Sequence, residues 1–217
     1  MRRLCLLCCL LLPSAASADD VPPEKAKADG DLLWYDARLI GVEGQGFSDL
    51  KSPYDRLPAK AEKVVRGPVW SLSRHSAGLC VRFRSDATAI HARWTLTGKN
   101  LAMNHMPATG VSGLDLYARV QGGQWRWLGV GRPEAQTNTA VLARGLPEAG
   151  TREFLLYLPL YNGVSSVEVG LPRGRSCRRR RPTPRTRSRS SSTALRSPRA
   201  AAPRGPAWST PPSSAGG

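Results

Sequence analysis

Between residues 79 and 171, apolar and polar side chains alternate in short runs. LCVRFRSD (79–86) and AIHARWTLTG (89–98) place apolar residues at every second position, the period of a strand buried on one face. LDLYARVQGGQWRWLGV (114–130) repeats the pattern on both sides of Gly122-Gly123 and predicts a hairpin. TREFLLYLPLYNGVSSVEVGL (151–171) adds two strands around Asn162-Gly163. A helix signal occurs in PAKAEKVVR (58–66), a short segment whose Pro58 suits a helix start. Short strands separated by turn signals predict an all-β, jelly-roll-like β-sandwich over residues 31–172, long enough for one domain with its own core.

The two ends break this pattern. The chain opens MRRLCLLCCLLLPSAASADD, with two arginines, an apolar run from Leu4 to Leu12, and small residues at Ala16 and Ala18. That is the layout of a signal peptide over residues 1–18. The run is too short for the roughly 20 residues a bilayer span needs. The expected destination is periplasmic or extracellular, with residues 19–30 as a polar lead-in. Three of the five cysteines belong to the leader, so no disulfide framework is implied. Cys80 reads as a small buried hydrophobe, and Cys177 falls in the tail.

From Arg173 to Gly217 the chain has no Asp, Glu, Lys, Asn, Gln, His, Val, Ile, Phe or Tyr. It reads as a disordered Arg/Pro/Ser/Ala-rich tail without the residues to build a core. Twelve of the 32 basic residues lie in it and two in the leader, leaving 18 against 16 acidic residues for the body. The high net charge thus belongs to the tail, where it would otherwise suggest a nucleic-acid-binding arm. Export argues against that partner, and no membrane association is expected after the leader is removed.

Candidate chemistry in the body is sparse. Trp125 and Trp127 are two apart and share one face of a strand, with Tyr117 across from them. Exposed, the pair would form a sugar-stacking platform; buried, it is core. Large aromatics on one strand face usually pack inward, so Trp125 and Trp127, like Trp34, Trp70 and Trp94, are expected in the core. His105 lies in the Gly- and Pro-containing loop LAMNHMPATGVSG, where binding residues are often found, and joins Trp125 and Trp127 as a binding candidate. His75 and His91 are isolated in sequence, and no ligand spacing for a metal is present. No phosphate loop or G-x-S-x-G turn occurs, so no cofactor and no catalytic residue is assigned.

GVSGLDLYAR contains Gly113, Asp115, Leu116 and Tyr117 in the order G-x-D-L-Y, and this resembles the N-terminal domain of SGNH (GDSL-type) hydrolases. WYDARLIGVEGQGF, PYDRLPAKAE, PVWSLSRHSAG, WRWLGVGRP and LLYLPLYNGVSSVEVGLP are similar to that domain in the same order, so the resemblance spans residues 34–172. It implies a β-sandwich that precedes an α/β catalytic domain, which would be its partner in the intact parent. The implied parent hydrolyses an acyl ester through a serine nucleophile, with a glycan or acyl ester as substrate. An apolar patch is expected where that domain docks.

The tail begins where the catalytic domain would. Residues Arg187 to Gly216 can be encoded so that codons regrouped from the third base read E-P-I-V-F-Y-G-T-S-I-T-Q-G-G and onward, which resembles the opening strand and nucleophile block of an SGNH hydrolase. The tail is therefore read as catalytic-domain DNA translated out of frame, with the shift between Pro172 and Cys177. On this reading the chain is a truncated, inactive relative of an esterase; the alternative is a secreted carbohydrate-binding module. Export should yield a mature N-terminus at Asp19, which mass spectrometry of the secreted chain would establish; retention of Met1 would refute the cleavage.

Overall fold

The strand period is realised in two antiparallel sheets that share one core. The computed structural model describes residues 20–180 apart from Ala149; the leader at 1–18 and the tail beyond 180 lie outside the described residues. In chain order the strands are β1 Lys27–Asp29, β2 Leu32–Asp36, β3 Val42–Glu43, β4 Cys80–Ser85, β5 Ile90–Leu96 and β6 Leu114–Arg119. The remaining strands are β7 Trp125–Gly131, β8 Thr137–Ala143, β9 Arg152–Tyr157, β10 Val164–Pro172 and β11 Arg178–Arg179. One sheet has the order β1-β2-β10-β5-β8 and the other β11-β4-β9-β6-β7, with β3 also paired to β4. This is the β-sandwich expected from the alternation.

Each of β4, β5, β6 and β9 sends one set of alternate residues inward. Ile90, Ala92, Trp94 and Leu96 of β5 meet Phe83, Leu114, Leu116, Phe154 and Leu156 of the other sheet in a single buried cluster. Phe83 and Phe154 stack with centroids 5.3 Å apart. Trp94 is 1% exposed and donates its indole N–H to Ser112 O at 3.2 Å, so its one polar atom is satisfied inside the core.

The predicted hairpin forms as β6 and β7, antiparallel, with Arg119 opposite Trp125 across the Gly122-Gly123 turn. Both glycines have positive φ, 91° and 82°, a backbone region that costs side-chain-bearing residues energy. Asn162-Gly163 does something different. β9 and β10 belong to opposite sheets, so the segment between them crosses the sandwich rather than closing a hairpin. The Asn162 side chain anchors the crossing: Oδ1 accepts from Gly98 N at 3.0 Å, while Nδ2 donates to Gly98 O at 3.2 Å and Ser112 Oγ at 3.1 Å. A Cβ on Gly163 would collide with the Arg74 carbonyl, which explains the glycine.

Four sequence expectations are corrected. PAKAEKVVR forms a 3-10 turn at Ala59–Lys63, and the α-helix of this region is the next segment, Gly67–Ser73, with a proline at its start. Trp125 and Trp127 are not core: both lie on the outward side of β7, Trp125 half-buried and Trp127 55% exposed. That strand ends the sheet, so its outward side has a neighbour on one flank only. Trp70 is half-buried on its helix with the Arg74 guanidinium 5.6 Å from its ring, rather than in the core. The first residues of the presumed tail, Arg173 to Arg180, lie on the domain: β11 pairs with β4, Val21 N donates to Cys177 O at 2.7 Å, and the Cys177 side chain is buried in the core cluster. Backbone pairing needs no particular side chain, so an arginine-rich sequence serves as an edge strand.

Trp94→Ala should cost about 3 to 5 kcal/mol. Trp127→Ala should cost under about 1 kcal/mol, as expected for a surface change that loses one hydrogen bond. Urea titration of both variants separates the two; equal losses would contradict the assignment of Trp127 to the surface.

Candidate functional site

The outward face of the β11-β4-β9-β6-β7 sheet gathers most of the side chains singled out in the sequence. In β6 the period of two sends Leu114 and Leu116 into the core and turns Asp115 and Tyr117 outward. Gly113 precedes them where a Cβ would strike the Thr109 carbonyl and stand 2.9 Å from Gly131 O, so the motif's glycine answers a close backbone approach. Across to β7, Tyr117 of β6 faces Trp127 and Arg119 faces Trp125, which brings both tryptophans to the same side.

Polar contacts hold this face in order. Trp127 Nε1 donates to Asp115 Oδ1 at 3.0 Å, which fixes the indole against the sheet. Tyr117 meets Tyr157 edge to face, with centroids 5.8 Å apart and planes at 84°. The Arg82 guanidinium stands 5.5 Å from the Trp125 ring centroid. Beside these, Glu153 takes Arg180 at 3.0 Å, Arg119 at 3.1 Å and Arg82 at 3.7 Å, while Arg82 also pairs with Glu43 at 3.1 Å. The result is a platform of aromatic rings bordered by paired charges.

His105 is not brought to this platform by any contact described. It sits exposed in its loop with Nδ1 at 2.8 Å from Asn104 Oδ1. His75 lines a cleft of about 310 Å³ with Lys99, Asn100, Met103, Tyr161 and Asn162. Burial, with Arg56 nearby, pushes its pKa below the ordinary value; burial and Arg144 do the same to His91. His91 packs edge-on against Trp34 at 6.3 Å. Among the described residues no serine or cysteine is hydrogen-bonded to a histidine, and no three His, Cys, Asp or Glu side chains gather as they would around a metal ion. Nor is any described helix long and apolar enough to cross a membrane.

Tyr157, Arg82 and Glu153 were not singled out in the sequence. Their signal was present: in REFLLY, Glu153 and Tyr157 flank Phe154 and Leu156 and must face the other way once those two are core, and in CVRF Arg82 alternates with the core residues Val81 and Phe83.

The buried acids of the domain set its alkaline limit. Burial pushes the Cys80 thiol up to about 11, and burial together with Asp20, against the opposing effect of Arg179, pushes Cys177 up to about 12. Tyr35 and Tyr54 are likewise raised to about 12, first by burial. Each keeps its proton in the folded chain where the unfolded chain has released it, so the unfolded state binds fewer protons and stability falls as pH rises. The loss should begin near pH 9 for the thiols and near pH 10 for the tyrosines, and continue toward 12. Circular-dichroism melts between pH 7 and 11 should show a falling Tm above about pH 9; a flat Tm to pH 11 would contradict the burial of these groups.

Fold and motif together define an all-β sandwich that carries G-x-D-L-Y at the start of a strand whose side chains alternate between core and surface. A family model described as GxDLY, the N-terminus of Esterase_SGNH_hydro-type, matches residues 32–177, and the chain belongs to this family. A solved structure titled a putative GDSL-like lipase from Bacteroides ovatus ATCC 8483 is similar at 27% identity with a TM-score of 0.64, covering 69% of this chain. The match spans 43% of that protein's length. A second solved structure, the salicylyl-acyltransferase SsfX3 from a tetracycline biosynthetic pathway, aligns at 18% identity and a TM-score of 0.41, covering 73% of this chain and 41% of its own. No curated protein matches the chain.

Proposed function

We propose that this chain carries the accessory N-terminal domain of an exported SGNH-type esterase and is itself non-catalytic. Family membership over residues 32–177 carries the reading. The parent would hydrolyse an acyl ester through a serine nucleophile, a base and oxyanion donors supplied by a domain C-terminal to this one, with carbohydrate esters among the candidate substrates. The arginine-rich tail is then that domain's DNA in the wrong frame. The family match to residue 177 and the burial of Cys177 favour a change of frame at or beyond codon 177, later than the sequence pattern suggested.

A second reading, a secreted carbohydrate-binding module, is favoured by one observation: Trp127 is exposed on a strand face beside Tyr117 and Tyr157.

The 217-residue chain should not hydrolyse short acyl esters such as p-nitrophenyl acetate above the buffer rate. Nucleotide sequencing of codons 170–217 and beyond should decode G-T-S-I-T-Q-G-G after a single frame correction, with an Asp and a His near the end of the extended frame. Expressed from the corrected frame, the protein should cleave acetyl esters and lose that activity when the serine of G-T-S becomes alanine. Hydrolysis by the uncorrected chain, or codons incompatible with that string, would overturn the reading.

A further inference from the structure

The geometry points to the outward face of the β11-β4-β9-β6-β7 sheet, centred on Trp127 and Tyr157, as the surface on which the polypeptide continuing beyond Cys177 in the hydrolase frame packs. This rests on the proposed esterase parentage. Three observations on the domain itself carry it.

The first is what the motif spends its residues on. Leu114 and Leu116 fill the core, but Asp115 and Tyr117 point away from it, and the fold does not need them for burial. Asp115 instead fixes the Trp127 indole at 3.0 Å, and Tyr117 braces Tyr157. Rigid aromatic side chains held in a chosen orientation are the residues that dominate binding surfaces.

The second is a contrast between the two outward faces. On the other sheet Trp34 also points outward, yet it lies flat across Gly170, where a Cβ would stand 2.8 Å from its ring. The Arg93 guanidinium covers it at 3.9 Å, and it is 1% exposed. The domain therefore closes one aromatic face with its own residues and leaves the other open, with Trp127 55% and Tyr157 40% exposed.

The third is where the chain leaves. β11 runs antiparallel to β4, with Arg178 opposite Arg84 and Arg179 opposite Phe83. Cys177, where the family match ends, lies directly before this strand, and backbone pairing along β4 does not depend on which side chains follow. The polypeptide beyond Cys177 thus starts along β4, at the margin of the open face. In the similar solved lipase the match spans 43% of the protein, so more than half of that chain lies outside the part shared with this one. Inter-domain contacts within one chain typically cover about 600 to 1,500 Å², a size that one face of such a sheet can supply.

Hydroxyl-radical footprinting tests this on two proteins: the 217-residue chain and the two-domain product of the gene with its frame corrected at or beyond codon 177. Trp127 and Tyr157 should oxidise several-fold more slowly in the two-domain protein, while Met103, exposed on the loop after β5 beside the His75 cleft, oxidises equally in both. Trp127→Ala should leave the Tm of the 217-residue chain nearly unchanged but split the two-domain protein's melt into two transitions. Equal oxidation of Trp127 in both proteins, or protection of Met103 in its place, overturns the assignment of the face. Protection of Trp127 in the 217-residue chain by soluble xylan or hydroxyethylcellulose would make the face a glycan platform and also overturn it. A gene with no hydrolase frame beyond codon 177 defeats the esterase reading itself, and that outcome is read from the DNA before any footprint is taken.

Discussion

Leu114 and Leu116 can enter the core only if Asp115 and Tyr117 face the other way. This two-residue period is a property of the extended backbone, and a shift of one residue would exchange every side chain between core and solvent. The register is held on both flanks: Leu116 lies opposite Leu156 of β9 and Gly129 of β7, and the inward residues of β9 pack with it in the same cluster. The aromatic face is therefore a consequence of the core. Burying the leucines presents the aspartate and tyrosine, and the antiparallel pairing brings Trp127 to them.

The end of the sandwich nearest the motif is fixed by backbone rather than by apolar contact. Asn162 ties Gly98 and Ser112 together where the chain changes sheets, and Ser112 O in turn accepts the Trp94 indole N–H. Gly113 and Gly163 sit where any side chain would meet a carbonyl. One small polar network thereby links the crossing segment, the central tryptophan of the core and Ser112, the residue just before the motif. Buried polar groups cost free energy unless paired, so a satisfied network of this kind specifies a single arrangement of the loops around it.

Much of the sandwich is legible in the sequence because alternation reports burial directly. β4, β5 and the β6–β7 hairpin fall where the pattern puts them. Two features escape it for a common reason: they depend on which strands are neighbours. Trp127 alternates like a core residue, but whether its side of the strand is inward follows from the pairing of β7 with β6, and alternation alone has no sign. The segment Arg173 to Arg180 has the composition of a solvated tail, yet it joins the sheet through backbone hydrogen bonds, to which composition is blind. The helix Gly67–Ser73 lies a few residues beyond the expected one because two prolines, Pro58 and Pro68, offer alternative starts. The family motif is legible as a string, but its division between core and surface emerges only once the strands are in place.

The central claim is that G-x-D-L-Y is split, its leucine serving the fold and its aspartate and tyrosine serving a surface. Urea unfolding of Leu116→Ala and Asp115→Ala in the 217-residue chain tests it most directly. Leu116→Ala should lose about 2 to 5 kcal/mol. Asp115→Ala should stay within about 1 kcal/mol of the parent, as removal of one solvent-accessible hydrogen bond allows. If Asp115→Ala instead unfolds the domain as severely as Leu116→Ala, the aspartate is a structural group, and the division of the motif between core and surface is wrong.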